Sequence, residues 1–318
     1  MSVFELSPDM PVYVAGHGGL AGSAIWRRLQ AEGFTNLIGW PSSEVDLTER
    51  DAAFDAVLSA RPAVVVDAAA RVGGILANSR SPVEFLNDNL LIQTNLFAAA
   101  HAADVDRLLF LGSSCIYPKH AEQPIREDYL LTGPLEPTND SYAIAKIAGI
   151  IAMKSYRHEY GRRWISAMPT NLYGPGDNFD LATSHVLPAT IRKFHEAKRD
   201  GTGVVMWGTG APRREFLHSD DAAAAVVHLL REYDDDSTIN IGTGEDVTIA
   251  ELAATVADVV GFTGEVSWDT DKPDGTPRKL LDVTRLRALG WEPRVGLRQG
   301  IADTYAWYLA QQRAAART

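Results

Sequence analysis

The sequence predicts an α/β fold: a doubly wound parallel sheet with a smaller, mostly helical C-terminal domain. Three observations predict it. Strand-like and helix-like segments alternate through residues 1–175, the pattern of a sheet built from βαβ units. A glycine loop, Gly16-His17-Gly18-Gly19-Leu20-Ala21-Gly22, joins the first strand-like run to the first helix-like one. Past Gly174 the alternation loosens and helices dominate.

Taken in order, residues 11–15 read as a buried strand and 20–31 as a helix, with Gly33 just past its end. In the loop between them, Gly16 allows a tight turn. Gly19 lets backbone N–H groups approach a pyrophosphate, and Gly22 permits close helix–strand packing. That is the loop of a Rossmann-type dinucleotide site. Residues 34–40 give a second strand, 51–60 a helix, and 63–69 a third strand. Residues 83–102 give a long helix and 108–112 a fourth strand. Residues 142–160 form a helix ended by Gly161, followed by a strand at 164–168. Helices follow at 186–197, 220–232, 249–260 and 297–312, with short strands at 204–207 and 238–241. Residues 215–243 are expected to rejoin the dinucleotide-binding domain (1–175), leaving 176–214 and 244–318 as the second domain.

The chain has 318 residues, 46% hydrophobic and 22% charged, an ordinary soluble balance. Its net charge of −11 and pI near 5.2 are the opposite of the basic stripe a nucleic-acid binder carries. No apolar run approaches a membrane span. The segment Met1-Ser2-Val3-Phe4-Glu5-Leu6 lacks both a basic start and a long apolar core, so no signal peptide is expected and a cytoplasmic setting is the natural reading. One cysteine, Cys115, excludes an internal disulfide and a cysteine-based metal cluster. The acidic run Asp234-Asp235-Asp236 reads as a solvated turn, and no metal site is expected.

The chemistry concentrates on Asn139-Asp140-Ser141-Tyr142-Ala143-Ile144-Ala145-Lys146. Tyr142 and Lys146, four apart, share one helix face. A cation one turn away is expected to bring the phenol toward working range, making a proton-transfer device for an alcohol or ketone oxygen. Such a pair alone can be an ordinary surface feature. The apolar run Leu108-Leu109-Phe110-Leu111 leads into Gly112-Ser113-Ser114-Cys115, and strand ends are where ligands sit in open α/β sheets. A Ser113 hydroxyl there can hold the same oxygen that Tyr142 protonates.

With these motifs assembled, the sequence resembles the GDP-L-fucose synthases of the extended short-chain dehydrogenase/reductase superfamily. The resemblance runs from Val12 to about Trp307. It is carried by Val72-Gly73-Gly74-Ile75, Leu111-Gly112-Ser113-Ser114-Cys115-Ile116-Tyr117-Pro118-Lys119 and Leu135-Glu136-Pro137-Thr138-Asn139. Met168-Pro169-Thr170-Asn171-Leu172-Tyr173-Gly174-Pro175, Ser184-His185-Val186-Leu187-Pro188, Arg214-Glu215-Phe216-Leu217-His218 and Lys272-Pro273-Asp274-Gly275-Thr276-Pro277-Arg278-Lys279 complete it.

The resemblance implies two activities on GDP-4-keto-6-deoxy-D-mannose, 3,5-epimerisation and then NAD(P)H-dependent reduction at C4. It implies Ser113, Tyr142 and Lys146 as the reductase triad, with Cys115 and His185 as the epimerisation pair. Taken alone, the cysteine would read as a small buried hydrophobe and the histidine as a structural one. Cofactor contacts are implied for Gly16, His17, Gly18, Gly19, Leu20, Ala21 and Gly22. They are implied as well for Leu111, Gly112, Ser113, Ser114, Lys146, Pro169, Thr170, Asn171, Leu172 and His185. Lys193, Trp207, Arg214 and Asp274 are implied to contact the GDP-sugar, with Arg278 or Lys279 as further cations for its diphosphate. A homodimer is implied too.

The chain departs from the family at Gly18 and at Trp40-Pro41-Ser42-Ser43, where arginines usually hold the 2′-phosphate of NADP. No Lys or Arg lies between Arg28 and Arg50. NADP is the expected cofactor, with NAD possible. Three other readings stay open: an enzyme for a related GDP-4-keto sugar such as a deoxy-heptose, a non-catalytic dinucleotide sensor, and a subunit whose fold serves only assembly.

Overall fold

The computed structural model describes residues 3–272 and 274–316, so Pro273 of the Lys272–Lys279 stretch lies outside it. The first half of the chain runs β1 (Val12–Ala15), α1 (Leu20–Ala31), β2 (Leu37–Ile38), α2 (Arg50–Ala60) and β3 (Val64–Asp67). It continues through α3 (Ile75–Arg80), α4 (Pro82–Ala102), β4 (Arg107–Leu111), α5 (Asp140–Tyr160) and β5 (Ile165–Pro169). Then come β6 (Asn171–Tyr173), α6 (Val186–Asp200), β7 (Val204–Trp207), β8 (Arg213–Arg214), β9 (Phe216–His218) and α7 (Ser219–Glu232). The chain closes with β10 (Ile239–Ile241), β11 (Val247–Thr248), α8 (Ile249–Val260), β12 (Val266–Asp269), β13 (Arg278–Lys279), α9 (Thr284–Ala288) and α10 (Leu297–Ala315).

Six strands pair in parallel in the order β2-β1-β3-β4-β5-β10. β1 and β3 stay fully buried because both faces are covered. On one face Val12, Val14, Val64 and Val66 meet Ile25 and Leu29 of α1 and Val226 and Leu230 of α7. On the other, Tyr13, Val65, Leu108 and Phe110 meet Phe97 of α4 and Ile147 and Ile150 of α5. The strand order reverses between β1 and β3, and ligands of such sheets bind outside the carboxyl ends of the strands at that point. A third apolar cluster joins α6, α8 and α10 in the C-terminal part.

The largest fully buried side chain, Trp164, stands just before β5 and donates its indole N–H to the Val105 carbonyl at 2.9 Å. Losing a side chain of this size from a core costs about 3–5 kcal/mol. Arg107 is fully buried in β4 and donates to the Leu229 and Leu230 carbonyls, each at 2.9 Å. A guanidinium at the carboxyl end of α7 meets the negative pole of that helix and locks it to the sheet.

The expected elements are present, some with the expected bounds and others with shifted ones. The second strand shrinks to Leu37–Ile38, the two residues that pair with β1, and Gly39-Trp40-Pro41 stays outside the ladder. α5 begins at Asp140, and its N-cap Asn139 makes no capping bond through its side chain. Gly161 does end α5, at φ +67°. The C-terminal part also carries small parallel pairs, β6 with β9 and β7 with β12, and a three-stranded sheet β11-β8-β13. Such two- and three-residue strands are too short to leave a period in a sequence. No helix among the described residues is long and apolar enough to cross a membrane.

Candidate active site

The glycine loop is shaped by close approach. Gly16 holds φ +75°, and a Cβ there would stand 2.8 Å from the Ala68 carbonyl oxygen. A Cβ on Gly22 would stand 2.0 Å from the Gly16 carbonyl oxygen, so α1 can begin beside the loop only with glycine there. Gly18 faces open space. Gly19 is the N-cap of α1 with extended backbone, and no side chain caps the helix, whose first residues are Leu20 and Ala21. Free N–H groups at the positive end of a helix suit a diphosphate. The cradle and the uncapped helix therefore fit a dinucleotide. His17 turns inward instead, its ring against Gly39 and 5.3 Å from Trp26 between centroids, with Nδ1 buried and unpartnered. The arginines of α1 are engaged, Arg27 with Asp220 and Arg28 with Glu32.

β4 delivers Leu111 and Gly112 to the strand end, where a Gly112 Cβ would meet the Met168 side chain at 2.5 Å. Ser113 caps the short turn Ser114–Ile116, its Oγ accepting from the Cys115 N–H at 3.2 Å. The same hydroxyl bonds to Tyr142. Burial, and then the Cys115 charge, push the Tyr142 phenol well above its ordinary value, with Ser113 opposing. Tyr142 is thus held as the proton-bearing phenol.

Lys146 differs from expectation. Its ammonium is buried, donates to the Leu111 carbonyl at 2.9 Å and lies 4.6 Å from the Phe110 ring centroid. Its ammonium rests against the sheet, and the groups that act on the Tyr142 phenol are Cys115 and Ser113 rather than Lys146. Burial brings Lys146 itself down to about 8, with the Asp67 charge opposing.

Cys115 is half-buried and accepts from Lys279 Nζ at 3.3 Å. Burial works against the thiolate, but the Lys279 charge and bonds from Ser113, Lys279 and Asn139 outweigh it, and the thiol's pKa is lowered. His185 is the N-cap of α6. It keeps an exposed surface, yet the protein around it and the Lys279 charge lower its pKa. Lys279 therefore acts on thiol and imidazole together. The glycines of Val72-Gly73-Gly74 support this arrangement. Gly74 donates to the Thr183 carbonyl at 2.9 Å, and a Cβ on it would stand 2.5 Å from the Ser184 carbonyl oxygen.

Pro169 ends β5. Thr170 donates its N–H to the Ile241 carbonyl at 2.9 Å, and Asn171 donates its side-chain amide to the Glu215 carbonyl at 2.8 Å. Leu172 packs into the core. These residues bring backbone to the carboxyl end of β5 with their side chains already engaged.

Of the expected sugar-nucleotide residues, Lys193 and Trp207 are brought together. Trp207 is 50% exposed, with Lys193 Nζ 5.5 Å and Lys272 Nζ 5.9 Å from its ring centroid. Arg214 lies where the Cys115 and Glu136 charges act on it. Asp274 is committed within the protein: it accepts from the Thr209 N–H at 2.7 Å and the Thr209 hydroxyl at 2.8 Å. Arg278 is paired with Asp246, and Lys279 is spent on Cys115, so neither stands free for a diphosphate. Sequence reasoning missed Lys279 and Asn139 as thiol partners, Lys272 beside Trp207, and the buried Asp67. Asn139, Lys272 and Lys279 each left a signal, standing within the Leu135–Asn139 and Lys272–Lys279 stretches, whereas Asp67 left none. Among the described residues no cluster suits a metal ion.

Known proteins resemble this chain over most of its length. The NAD dependent epimerase/dehydratase family matches residues 12–242. GDP-L-fucose synthase 1 of Arabidopsis thaliana is 56% identical over 299 residues, 94% of this chain and 93% of its own. GDP-L-fucose synthase of Escherichia coli (strain K12) is 52% identical over 311 residues, 95% of this chain and 97% of its own. Among solved structures, a GDP-L-fucose synthetase from Naegleria fowleri bound to NADP superposes with a TM-score of 0.90 at 29% identity, over 98% of this chain and 97% of that one. The chain belongs to the NAD dependent epimerase/dehydratase family and, within it, to the GDP-L-fucose synthases.

Proposed function

We propose that the chain converts GDP-4-keto-6-deoxy-D-mannose to GDP-L-fucose in one pocket, by epimerisation at C3 and C5 followed by reduction at C4. The observation that carries the reading is the shared place of thiol and phenol. Ser113 bonds to the Cys115 thiol and to the Tyr142 phenol, and the Cys115 charge reaches Tyr142.

A 4-ketone acidifies the protons on C3 and C5. Inversion at each carbon needs a base on one face and an acid on the other. Cys115, drawn toward thiolate by Lys279, serves as the base. His185, with its lowered pKa, gives up a proton readily and serves as the acid. In the second step Ser113 holds the C4 oxygen and Tyr142 donates the proton to it. The nicotinamide cofactor supplies the hydride. Gly16 through Gly22 hold the diphosphate of that cofactor. Lys146, close to the strand end, is placed to hold the ribose next to the nicotinamide. Lys193 and Arg214 offer charge to the GDP diphosphate, and the exposed Trp207 offers a face for stacking.

The cofactor we favour is NADP(H), supported by the NADP-bound relative from Naegleria fowleri. The assembly we favour is a homodimer through the exposed faces of α4 and α5. The test is incubation in deuterated water with NADPH and with NADH. Deuterium at both C3 and C5, in a product of L-galacto configuration, is the expected result. Label at neither carbon would remove the epimerase half, and an unreduced product would remove the other.

A further inference from the structure

The two-step chemistry leaves one buried charge unused. Asp67 ends β3 with 0% of its surface exposed. Its Oδ1 accepts from the Ala69 N–H at 3.2 Å, while Oδ2 has no hydrogen-bond partner. A carboxylate oxygen buried this way is costly unless another group uses its charge.

Lys146 is that group. Asp67 stands in register with Phe110 of the adjacent β4. Side chains alternate along a strand, so Asp67 shares the sheet face of Val65, the face that α4 and α5 cover. Lys146 descends onto that face from α5, with 3% of its surface exposed, and its ammonium rests on the Phe110 ring and the Leu111 carbonyl. A carboxylate with one N–H donor and an ammonium with one carbonyl acceptor thus lie on one buried sheet face, on either side of the Phe110 position and close enough for each charge to act on the other. Neither has enough hydrogen bonds to keep its charge alone.

We propose that Asp67 is a positioning residue for the reduction: it is the buried counter-charge that keeps Lys146 protonated and seated on the Leu111 carbonyl. The proposal rests on the reductase reading of Tyr142 and Lys146. The ionisation of the pair agrees with it. Burial brings Lys146 down to about 8, and Asp67 is the charge that pulls it back up. Burial lifts Asp67 to about 6, and Lys146 is the charge that pulls it back down. Tyr13, facing the pair from β1, is kept neutral by burial and by the Asp67 charge. From α4, Gln93 is uncharged and donates to the Ala145 carbonyl at 2.7 Å. On α5, Tyr142 is the proton-bearing phenol described above.

The experiment is Asp67→Asn in the full chain, which keeps the shape and removes the charge. NADPH consumption with GDP-4-keto-6-deoxymannose is followed from about pH 6 to about pH 9.5 in both proteins. Without its counter-charge Lys146 loses its proton at lower pH. The alkaline limb of kcat should therefore move to lower pH, and the loss at about pH 8.5 should exceed the loss at about pH 6.5 by roughly tenfold. A uniform loss at every pH, or an unchanged profile, overturns the proposal. Wild-type protein that consumed no NADPH would instead overturn the reductase reading. If Asp67→Asn does not fold, infrared difference spectra of wild type and Lys146→Met at neutral pH decide. A protonated-carboxyl band present only in Lys146→Met is expected, and identical carboxyl bands overturn the proposal.

Discussion

The Lys279 ammonium donates to the Cys115 sulfur at 3.3 Å, and its charge also reaches His185. One lysine on β13 thus acts on both ends of the proton exchange. It favours the thiolate over the thiol, and it makes the protonated His185 imidazole the stronger acid. A hydrogen bond to an ion is worth about 1.5–3 kcal/mol. Lys279→Met should therefore slow deuterium exchange at C3 and C5 by roughly 10- to 100-fold at neutral pH. The sign with pH follows: the variant thiol ionises later, so its exchange recovers as pH rises, whereas the wild type has levelled off by then. Exchange profiles that coincide would show that Lys279 does not set the thiol.

The two halves of the chemistry should separate by mutation, although their residues share Ser113. Proton transfer by a placed side chain contributes about 10²- to 10⁴-fold. Cys115→Ser should lose carbon-bound exchange by at least about 10²-fold while the protein still consumes NADPH with a substrate already epimerised. Tyr142→Phe should show the reverse, retaining exchange and losing reduction. Label incorporation and NADPH consumption, measured on the same samples, check both. A Cys115→Ser protein that exchanged at full rate would remove the sulfur from the mechanism.

Some of this was legible in the sequence and some was not. The bounds of α1 and α8 match the sequence reading residue for residue, because Gly33 and Gly261 follow strongly periodic apolar segments. The ends of β4 and β5, at Leu111 and Pro169, were read to within one residue, at Gly112 and Met168, from the apolar runs that lead to them. Lys279 was read, as the alternative to Arg278, as a further cation for the diphosphate, and it sits on sulfur. That pairing joins residues 164 apart in the chain, through a two-residue strand with no period of its own. The direction of Lys146 was misread for a related reason. Helix spacing places Lys146 on the face of Tyr142, but the Leu111 carbonyl and the Phe110 ring, both on the sheet, decide where the ammonium rests.

Cofactor preference turns on the end of the second strand. Ser42 and Ser43 are exposed there, and the nearby Arg27 and Arg28 are held by Asp220 and Glu32. A bidentate guanidinium binds a phosphate better than serine hydroxyls do. Ser42→Arg should therefore tighten NADPH relative to NADH, by roughly tenfold for one charge-assisted contact. Fluorescence titration of both cofactors checks it. Unchanged relative affinities would show that the adenosine ribose lies elsewhere.

The outer faces of α4 and α5 carry exposed apolar residues. Val83 and Leu91 of α4 are 66% and 46% exposed, and Ile144 and Ile151 of α5 are 47% and 45% exposed. Spacings of eight and seven residues keep each pair on one side of its helix, and the two helices pack against each other. On the homodimer proposed above, a second copy presenting these faces about a two-fold axis would cover the four side chains. Burying a side chain of this size is worth roughly 1.5–3 kcal/mol, and the axis doubles the effect of each substitution. The double variant Ile144→Lys, Ile151→Lys should run at half the wild-type mass in light scattering at micromolar concentration, with its helix content unchanged in circular dichroism. A wild type that is already monomeric, or a double variant that keeps its dimer mass, would move the interface off this face.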